Sequence, residues 1–110
     1  MSKAEYWQRG EVIDFTNNTD AKIDANEIVV FGKRLGVAGT PIEVGETGSL
    51  HVFGVFEMPK AESEAITEGA TVYYNAAAGA ITATAGDITA GYATEAAAAA
   101  DTTVKVKLLG

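Results

Sequence analysis

Apolar and polar residues alternate with a period of two along much of the chain. The clearest stretch is 103–108, where Val104, Val106 and Leu108 alternate with polar or charged residues. Successive side chains of a β-strand point to opposite faces, so this pattern predicts a strand with one apolar and one charged face. The alternation also runs through 49–58, where the second face is half apolar, so we expect that strand to be covered on both sides.

Shorter apolar runs separated by turn-forming residues predict further strands. These runs lie at 12–15, 28–31, 35–38, 71–74 and 80–84. Gly32-Lys33, between two of them, suits a two-residue hairpin with glycine at its first turn position. The connections are too short for helical crossovers, so we expect an all-β, mainly antiparallel fold, either a small barrel or a sandwich.

Two segments are ambiguous in the sequence. The stretch 95–101 encloses five alanines, which have high helix propensity. Five residues are too few to hold a helix, and Asp101 would lie unfavourably at its C-terminal end, so we expect a loop. The stretch 59–69 begins with proline and ends with glycine, which fits either one short helical turn or an acidic loop.

The chain also matches itself weakly. Residues 23–31 resemble residues 66–74. Further along, Gly36-Val37-Ala38 resembles Gly91-Tyr92-Ala93, and Thr47 aligns with Thr102. The two matches differ in spacing, which indicates an insertion centred on the strand at 80–84. We expect two related β-units that close on each other.

The length of 110 residues allows one domain with little margin of stability, which oligomerisation would increase. We divide the chain into an N-terminal arm, 1–9, and a single β domain, 10–110. No apolar run is long enough to span a membrane, and the N-terminus lacks the apolar core of a secretory signal. The absence of cysteine excludes disulfides and fits synthesis in a reducing cytoplasm.

The net charge of −7 argues against nucleic-acid binding, which requires a clustered basic surface. The eight basic residues are scattered along the chain. The second part of the chain is rich in alanine and threonine, and we interpret it as strands and loops of low bulk rather than as a surface that packs on a neighbouring subunit.

Candidate chemistry is sparse. The chain has no phosphate-binding glycine loop and no nucleophile elbow. The single histidine, His51, falls within a strand pattern, where a structural role is more common than catalysis. The carboxylates at 57–68 and at 43–46 fit a solvated acidic surface better than a glycosidase or calcium site. We therefore expect no enzyme activity, no cofactor and no metal.

The N-terminal arm holds the residues best suited to contact another protein. They are Tyr6, Trp7, Gln8 and Arg9. Tryptophan and tyrosine are the residues most favoured as interface anchors. Trp7, the only tryptophan, has two open interpretations: it anchors the arm to a partner, or it folds back and caps the protein's own β-structure.

A series of short motifs runs through the chain in order. It opens with Gly10 to Asn17, of the form G-x-x-I-D-[FY]-T-N, and continues as Gly36-Val37-Ala38, Gly45-Glu46-Thr47-Gly48, Gly54-Val55-Phe56-Glu57-Met58-Pro59-Lys60, Gly69-Ala70-Thr71-Val72-Tyr73-Tyr74-Asn75, Ala78-Gly79, Gly91-Tyr92-Ala93 and the strand at 101–108. This order resembles that of the phage capsid cement, or head decoration, proteins. Some members of that family carry the label of predicted RecA-like recombinases, which the missing phosphate-binding loop does not support.

The resemblance implies a virion structural protein made in the host cytoplasm. Such a protein binds the outer surface of the expanded head and bridges neighbouring major-capsid subunits, with Tyr6 to Arg9 as the expected capsid contact. Related decoration proteins often act as trimers, so a homo-oligomer, and a trimer in particular, is implied as well. No nucleic acid, membrane or cofactor is expected as a partner.

Two other functions remain open from the sequence. A small β binding module for host-surface glycan, or for another virion protein, would use Tyr73, Tyr74 and Tyr92 to stack on sugar rings. A hydrolase would use His51 with nearby carboxylates.

Overall fold

A computed structural model describes residues 2–6, 10–86 and 88–109. These residues form nine strands and no helix, which confirms the prediction of an all-β fold. The strands are β1 (Val12–Thr16), β2 (Ile28–Phe31), β3 (Arg34–Ala38), β4 (Thr47–His51), β5 (Phe53–Pro59), β6 (Thr71–Asn75), β7 (Ala80–Thr82), β8 (Thr89–Ala93) and β9 (Thr103–Leu109).

The strands form two sheets, with the orders β1-β4-β3-β2 and β5-β9-β8-β6-β7. Every pair of neighbouring strands is antiparallel, as the short connections predicted. One of the two sheets curls into a half-barrel. Strand β7 is an edge strand of the second sheet. It reaches back to the end of β5, where the amide of Ala61 donates a hydrogen bond of 2.8 Å to the carbonyl of Ile81.

The expected hairpin is present between β2 and β3. Phe31 pairs with Arg34, and Gly32 has a φ of 60°, which favours glycine at this first turn position. The stretch 95–101 is a loop, as predicted. The stretch 59–69 contains no helical turn: Pro59 is the last residue of β5, and a loop follows.

The prediction of one strand over 49–58 is wrong. The chain leaves the first sheet after β4 and enters the second at β5, with Val52 between them. A continuous strand would place residues 51 and 56 on opposite faces, yet the rings of His51 and Phe56 lie with their centroids 6.2 Å apart. Gly54, with a φ of 124°, permits a backbone conformation that other residues rarely adopt.

The internal repeat is visible in the structure. The order β1-β4-β3-β2 of the first unit corresponds to β5-β9-β8-β6 of the second. In each unit one isolated β-bridge joins the two loops, Ile23 with Ile42 in the first and Ile66 with Ala97 in the second. Strand β7 has no counterpart in the first unit, which places the insertion where the sequence predicted it.

The two units share a turn as well. The amide of Glu46 donates to the carbonyl of Glu43 in the first unit, and Asp101 donates to Ala98 in the second, both at 3.0 Å. After this turn the sequence match between the two units differs from the structural match by one residue. Thr16 pairs with Thr47 and Pro59 pairs with Thr103, so the counterpart of Thr47 is Thr103 rather than Thr102. The second unit has one extra residue between its turn and its strand.

Two clusters of buried side chains form the core. The first unit encloses the smaller cluster, with Ile42 and Leu50 almost fully buried. The larger cluster is built mostly from residues of the second unit, and Leu35 and Val37 of β3 belong to it. The outward face of β3 therefore covers part of the second unit, and this burial of apolar surface holds the two sheets together.

Only two polar or charged side chains are buried among the described residues, and they lie at equivalent places. Asn17 follows β1 and Lys60 follows β5. The backbone N–H of Asn17 donates to the backbone carbonyl of Glu46, and the backbone N–H of Lys60 donates to the backbone carbonyl of Thr102. Each side chain then hydrogen-bonds backbone carbonyls of its own unit, so each fixes a loop against the sheet.

Candidate interaction surfaces

The structure describes only part of the predicted contact residues in the arm. Residues 2–6 have no regular secondary structure and are exposed, with 81% of Tyr6 accessible to solvent. Trp7, Gln8 and Arg9 lie outside the described residues. The predicted contact of the arm with a capsid therefore stays a prediction, although Tyr6 is placed where a partner could reach it.

A second exposed apolar surface lies on β5 and its neighbour β9. Phe53 and Val55 are 50% and 54% exposed, and both point away from the core that Met58 enters. The expectation that this strand is covered on both sides is wrong for the described chain, because no apolar layer packs on this face and both side chains stay about half exposed. The sequence shows that this face of the strand is half apolar, but it does not show whether another element covers it.

The charges beside this surface are arranged by the register of the strands. Lys107 lies opposite Val55, and its Nζ is 4.0 Å from the centroid of the Phe53 ring. An ammonium group at that distance attracts the electrons of the ring face. We call Phe53, Val55 and Lys107, with Glu57 and Lys105 beside them, the outer β5 face.

The two lysines of this face differ in their partners. The Nζ of Lys105 lies 2.8 Å from a carboxylate oxygen of Glu95, and this hydrogen bond and charge raise the pKa of Lys105 above its ordinary value. Lys105 therefore stays protonated throughout the neutral range. Lys107 makes no ion pair with any residue in the part of the chain that the structure describes, and its ammonium group lies over the Phe53 ring instead.

The turn Glu43-Val44-Gly45-Glu46 presents a third exposed apolar side chain. Val44 is 53% exposed. A carboxylate oxygen of Glu46 accepts a hydrogen bond of 3.1 Å from the amide of Glu43, and Glu43 lies 3.6 Å from Lys22 in an exposed ion pair. We call these four residues the acidic turn; it places one apolar side chain between two carboxylates.

The insertion of the second unit forms a cleft of about 560 Å³. Tyr73 and Tyr74 line it, together with alanine, threonine and glycine residues of 76–86, whereas Tyr92 is not among the lining residues. The carboxylate of Glu64 lies in the cleft and accepts hydrogen bonds from the hydroxyl of Thr82 and the amide of Ala83. The three tyrosines that a glycan site would have used therefore do not meet at one place.

His51, the candidate catalytic residue of a hydrolase, packs against Phe56 and Gly39. Its ring contacts Phe56 and lies so close to Gly39 that a Cβ there would be 2.9 Å from Nε2. No group of three or more histidine, aspartate or glutamate residues that could hold a metal occurs among residues 2–6, 10–86 and 88–109. The described surroundings of His51 are those of a packed side chain.

None of the described segments is a helix long and apolar enough to span a membrane. Comparison with curated proteins gave no match, and comparison with solved structures gave none either. A family model described as phage cement protein matches residues 7–108, which is nearly the whole chain. This match confirms the resemblance carried by the motifs, and the chain belongs to the phage cement protein family.

Proposed function

We propose that this protein binds the outer surface of the expanded phage head and bridges neighbouring major-capsid subunits. The observation that carries the proposal is the family match over residues 7–108, which supports a structural, capsid-associated role. A cement protein needs contact area rather than a catalytic group. The exposed apolar side chains of the arm, the acidic turn and the outer β5 face supply such area.

The dimensions of the chain suit a protein that lies on a large surface. The Cα atoms extend over 43 × 41 × 20 Å, so the molecule is about half as thick as it is wide. A standard specific interface buries about 800 Å² on each partner, which one broad side of such a plate can provide. The net charge of −7 keeps the solvent-facing side soluble.

Three further parts of the proposal extend beyond the family match. The arm, 1–9, acts as a separate contact element from a single β domain, 10–110. The protein is a homo-oligomer, with three copies favoured, which adds buried area to a domain of marginal size. It is made in the host cytoplasm and functions on the virion, without cofactor, enzyme activity or nucleic-acid partner.

The proposal is tested by co-sedimentation of the purified protein with undecorated, expanded heads of its phage. We expect saturable binding, and Trp7→Ala should weaken it by about 2 kcal/mol because a buried tryptophan is a typical interface hot spot. Tyr6→Ala changes an exposed side chain of the same proposed contact, so it should weaken binding without lowering the melting temperature.

The melting temperatures of the two variants separate the interpretations of Trp7. Unchanged melting with weaker binding places Trp7 in the capsid contact. Unchanged binding with lower melting would place it against the protein's own core. No binding of the unchanged protein to expanded heads would contradict the proposed function.

A glycan-binding module is the second candidate, and the cleft of the insertion is the observation that favours it. Two tyrosines and the Glu64 carboxylate offer a stacking surface and a hydrogen-bond acceptor. An absence of glycan-array hits, together with binding to heads, would discard this alternative.

A further inference from the structure

The outer edge of β2 is open, whereas the equivalent edge in the second unit carries a strand. The counterpart of β2 is β6: the backbone N–H of Ala38 donates to the carbonyl of Glu27 at 2.9 Å, and that of Ala93 donates to Ala70 at 3.0 Å. Strand β7 covers the outer edge of β6 by pairing with residues 73–75. Among the described residues, β2 pairs with β3 alone. The first unit therefore lacks, at β2, the strand that the insertion supplies to the second unit.

The pairing with β3 shows which backbone groups of β2 point outward. Hydrogen-bonded and non-hydrogen-bonded pairs alternate along two antiparallel strands. Glu27 is bonded to Ala38, so Val29 is the next residue whose backbone groups face β3. The N–H and carbonyl groups of Ile28 and Val30 therefore point away from β3. No other described strand pairs with them, so they are free to accept an added strand.

The other edges of the two sheets are protected in ways that β2 is not. Strand β5 ends in Pro59, which has no N–H to offer, and β7 is bonded to the segment that follows β5. Strand β1 carries the exposed charge of Asp14 at its centre. Strand β2, Ile28–Phe31, contains neither proline nor a charged residue. Proteins normally protect a free edge against pairing with other chains, so an unprotected edge indicates a strand added from another molecule.

The N-terminal arm is an extended segment that suits this place. Residues 2–6 are exposed, have no regular secondary structure and make no hydrogen bond with the described part of the chain. Ala4 and Tyr6 alternate with Lys3 and Glu5, which is the period of a strand with one apolar face. Residues 2–6 do not pair with β2 of their own chain, so the edge they would fill belongs to another copy.

The length of the arm permits this reach. Nine residues precede the β domain, and an extended chain of that length spans about 30 Å. The molecule is 20 Å thick in its shortest direction. An arm of this length can therefore leave its own domain and lie along the edge of a neighbour.

We propose that residues 3–6 of one copy add as a strand to the outer edge of β2 in a second copy. The backbone groups of Ile28 and Val30 pair with those of the arm, in the place that β7 takes in the second unit. Trp7, Gln8 and Arg9 then lie beside the exchanged strand and stay available to the capsid. The exchange deepens the proposed homo-oligomer, and a closed ring of three copies is the arrangement that rests on the proposed function.

Amide hydrogen exchange followed by NMR tests which backbone groups pair. The N–H of Val30 has no acceptor within the described single chain, so it should exchange quickly in dilute solution. In concentrated solution we expect its exchange to slow by at least about tenfold. The N–H of Asp14 points outward from β1 by the same alternation and is the control, with equal rates at both concentrations. A Val30 N–H that exchanges equally fast at millimolar concentration would overturn the proposal.

Proline substitutions in the arm test the same contact without altering the β domain. Ala4→Pro combined with Glu5→Pro removes a backbone N–H in either register of the added strand. We expect association at sedimentation equilibrium to weaken by at least about tenfold, with loss of the protection at Val30. Ala4→Ser combined with Glu5→Gln keeps both N–H groups and should associate like the unchanged protein.

The two double variants should melt at the same temperature in dilute solution, because the arm is outside the strands. Association that survives both prolines would show that the arm is not the added strand.

Binding to expanded heads separates this contact from the proposed function. A protein that exchanges arms but does not bind heads would preserve the contact and contradict the cement function. A chain that stays monomeric at millimolar concentration and binds heads would overturn the exchange and preserve the cement function.

Discussion

Replacing Gly91 by alanine is expected to abolish folding. A Cβ at this position would lie 1.9 Å from the carbonyl oxygen of Lys107 and 2.9 Å from its carbonyl carbon. Both are backbone atoms of β9, so the clash can be relieved only by separating β8 from β9. The cost should exceed about 4 kcal/mol, which is a large part of the stability of a small domain. Circular dichroism and chemical denaturation measure the effect.

The repeat supplies a matched control for Gly91. Gly36 occupies the corresponding place in the first unit, but a Cβ there would meet the Leu50 side chain at 3.2 Å, and a side chain can move where a backbone cannot. Gly36→Ala should therefore cost much less. Gly86→Ala, with nothing within 4 Å, should be close to neutral. A Gly91→Ala protein as stable as the Gly86→Ala protein would contradict the packing of β8 on β9.

Replacing Lys60 by methionine is expected to destabilise the protein by about 1–3 kcal/mol, because it leaves partly buried carbonyl oxygens without their charged donor. Lys60 is 5% exposed, and its Nζ donates to the carbonyls of Ala61 at 2.8 Å, Glu64 at 2.5 Å and Ala99 at 3.3 Å. Methionine keeps much of the volume, so the loss would come from these hydrogen bonds. Urea denaturation gives the difference in unfolding free energy.

Lys33→Met is the control for that change. Lys33 is exposed in the turn between β2 and β3, so the same substitution there should alter the unfolding free energy by less than about 0.5 kcal/mol. Equal effects of the two substitutions would mean that the hydrogen bonds from Lys60 to the three backbone carbonyls contribute nothing to stability.

Most of the strands could be predicted from the sequence because their signals are local. The alternation of Val104, Val106 and Leu108 follows directly from the period of a strand, and Gly32 marks a turn that needs its positive φ. The repeat was detectable for the same reason. Equivalent loops and turns in the two units are held by equivalent hydrogen bonds, so similar residues recur at the same places.

The division at Val52 could not be predicted in this way. Alternation continues across it in the sequence, and only the packing of two separate sheets shows where the strand divides. The burial of Lys60 was missed because a charged residue is normally exposed. The available signal was the internal repeat, in which Lys60 follows the first strand of its unit as Asn17 does in the other unit. Asparagine often hydrogen-bonds nearby backbone groups, and Asn17 does so here.

The candidate contact surfaces differ in how far the sequence points to them. The arm was chosen from its aromatic residues, and Tyr6 is exposed as that choice required. The outer β5 face and Val44 were not chosen, because the sequence does not show which apolar side chains remain uncovered after folding. Val44 in particular is one residue in a turn, without any periodic pattern that would assign it to the core or the surface.

The most direct test of a cement function is the temperature at which expanded heads rupture, measured by release of packaged DNA, with and without bound protein. We expect saturating amounts of the protein to raise the rupture temperature, because each bound copy adds interface area that must be lost before capsid subunits separate. Heads that bind the protein at full occupancy yet rupture at the same temperature as undecorated heads would contradict the account.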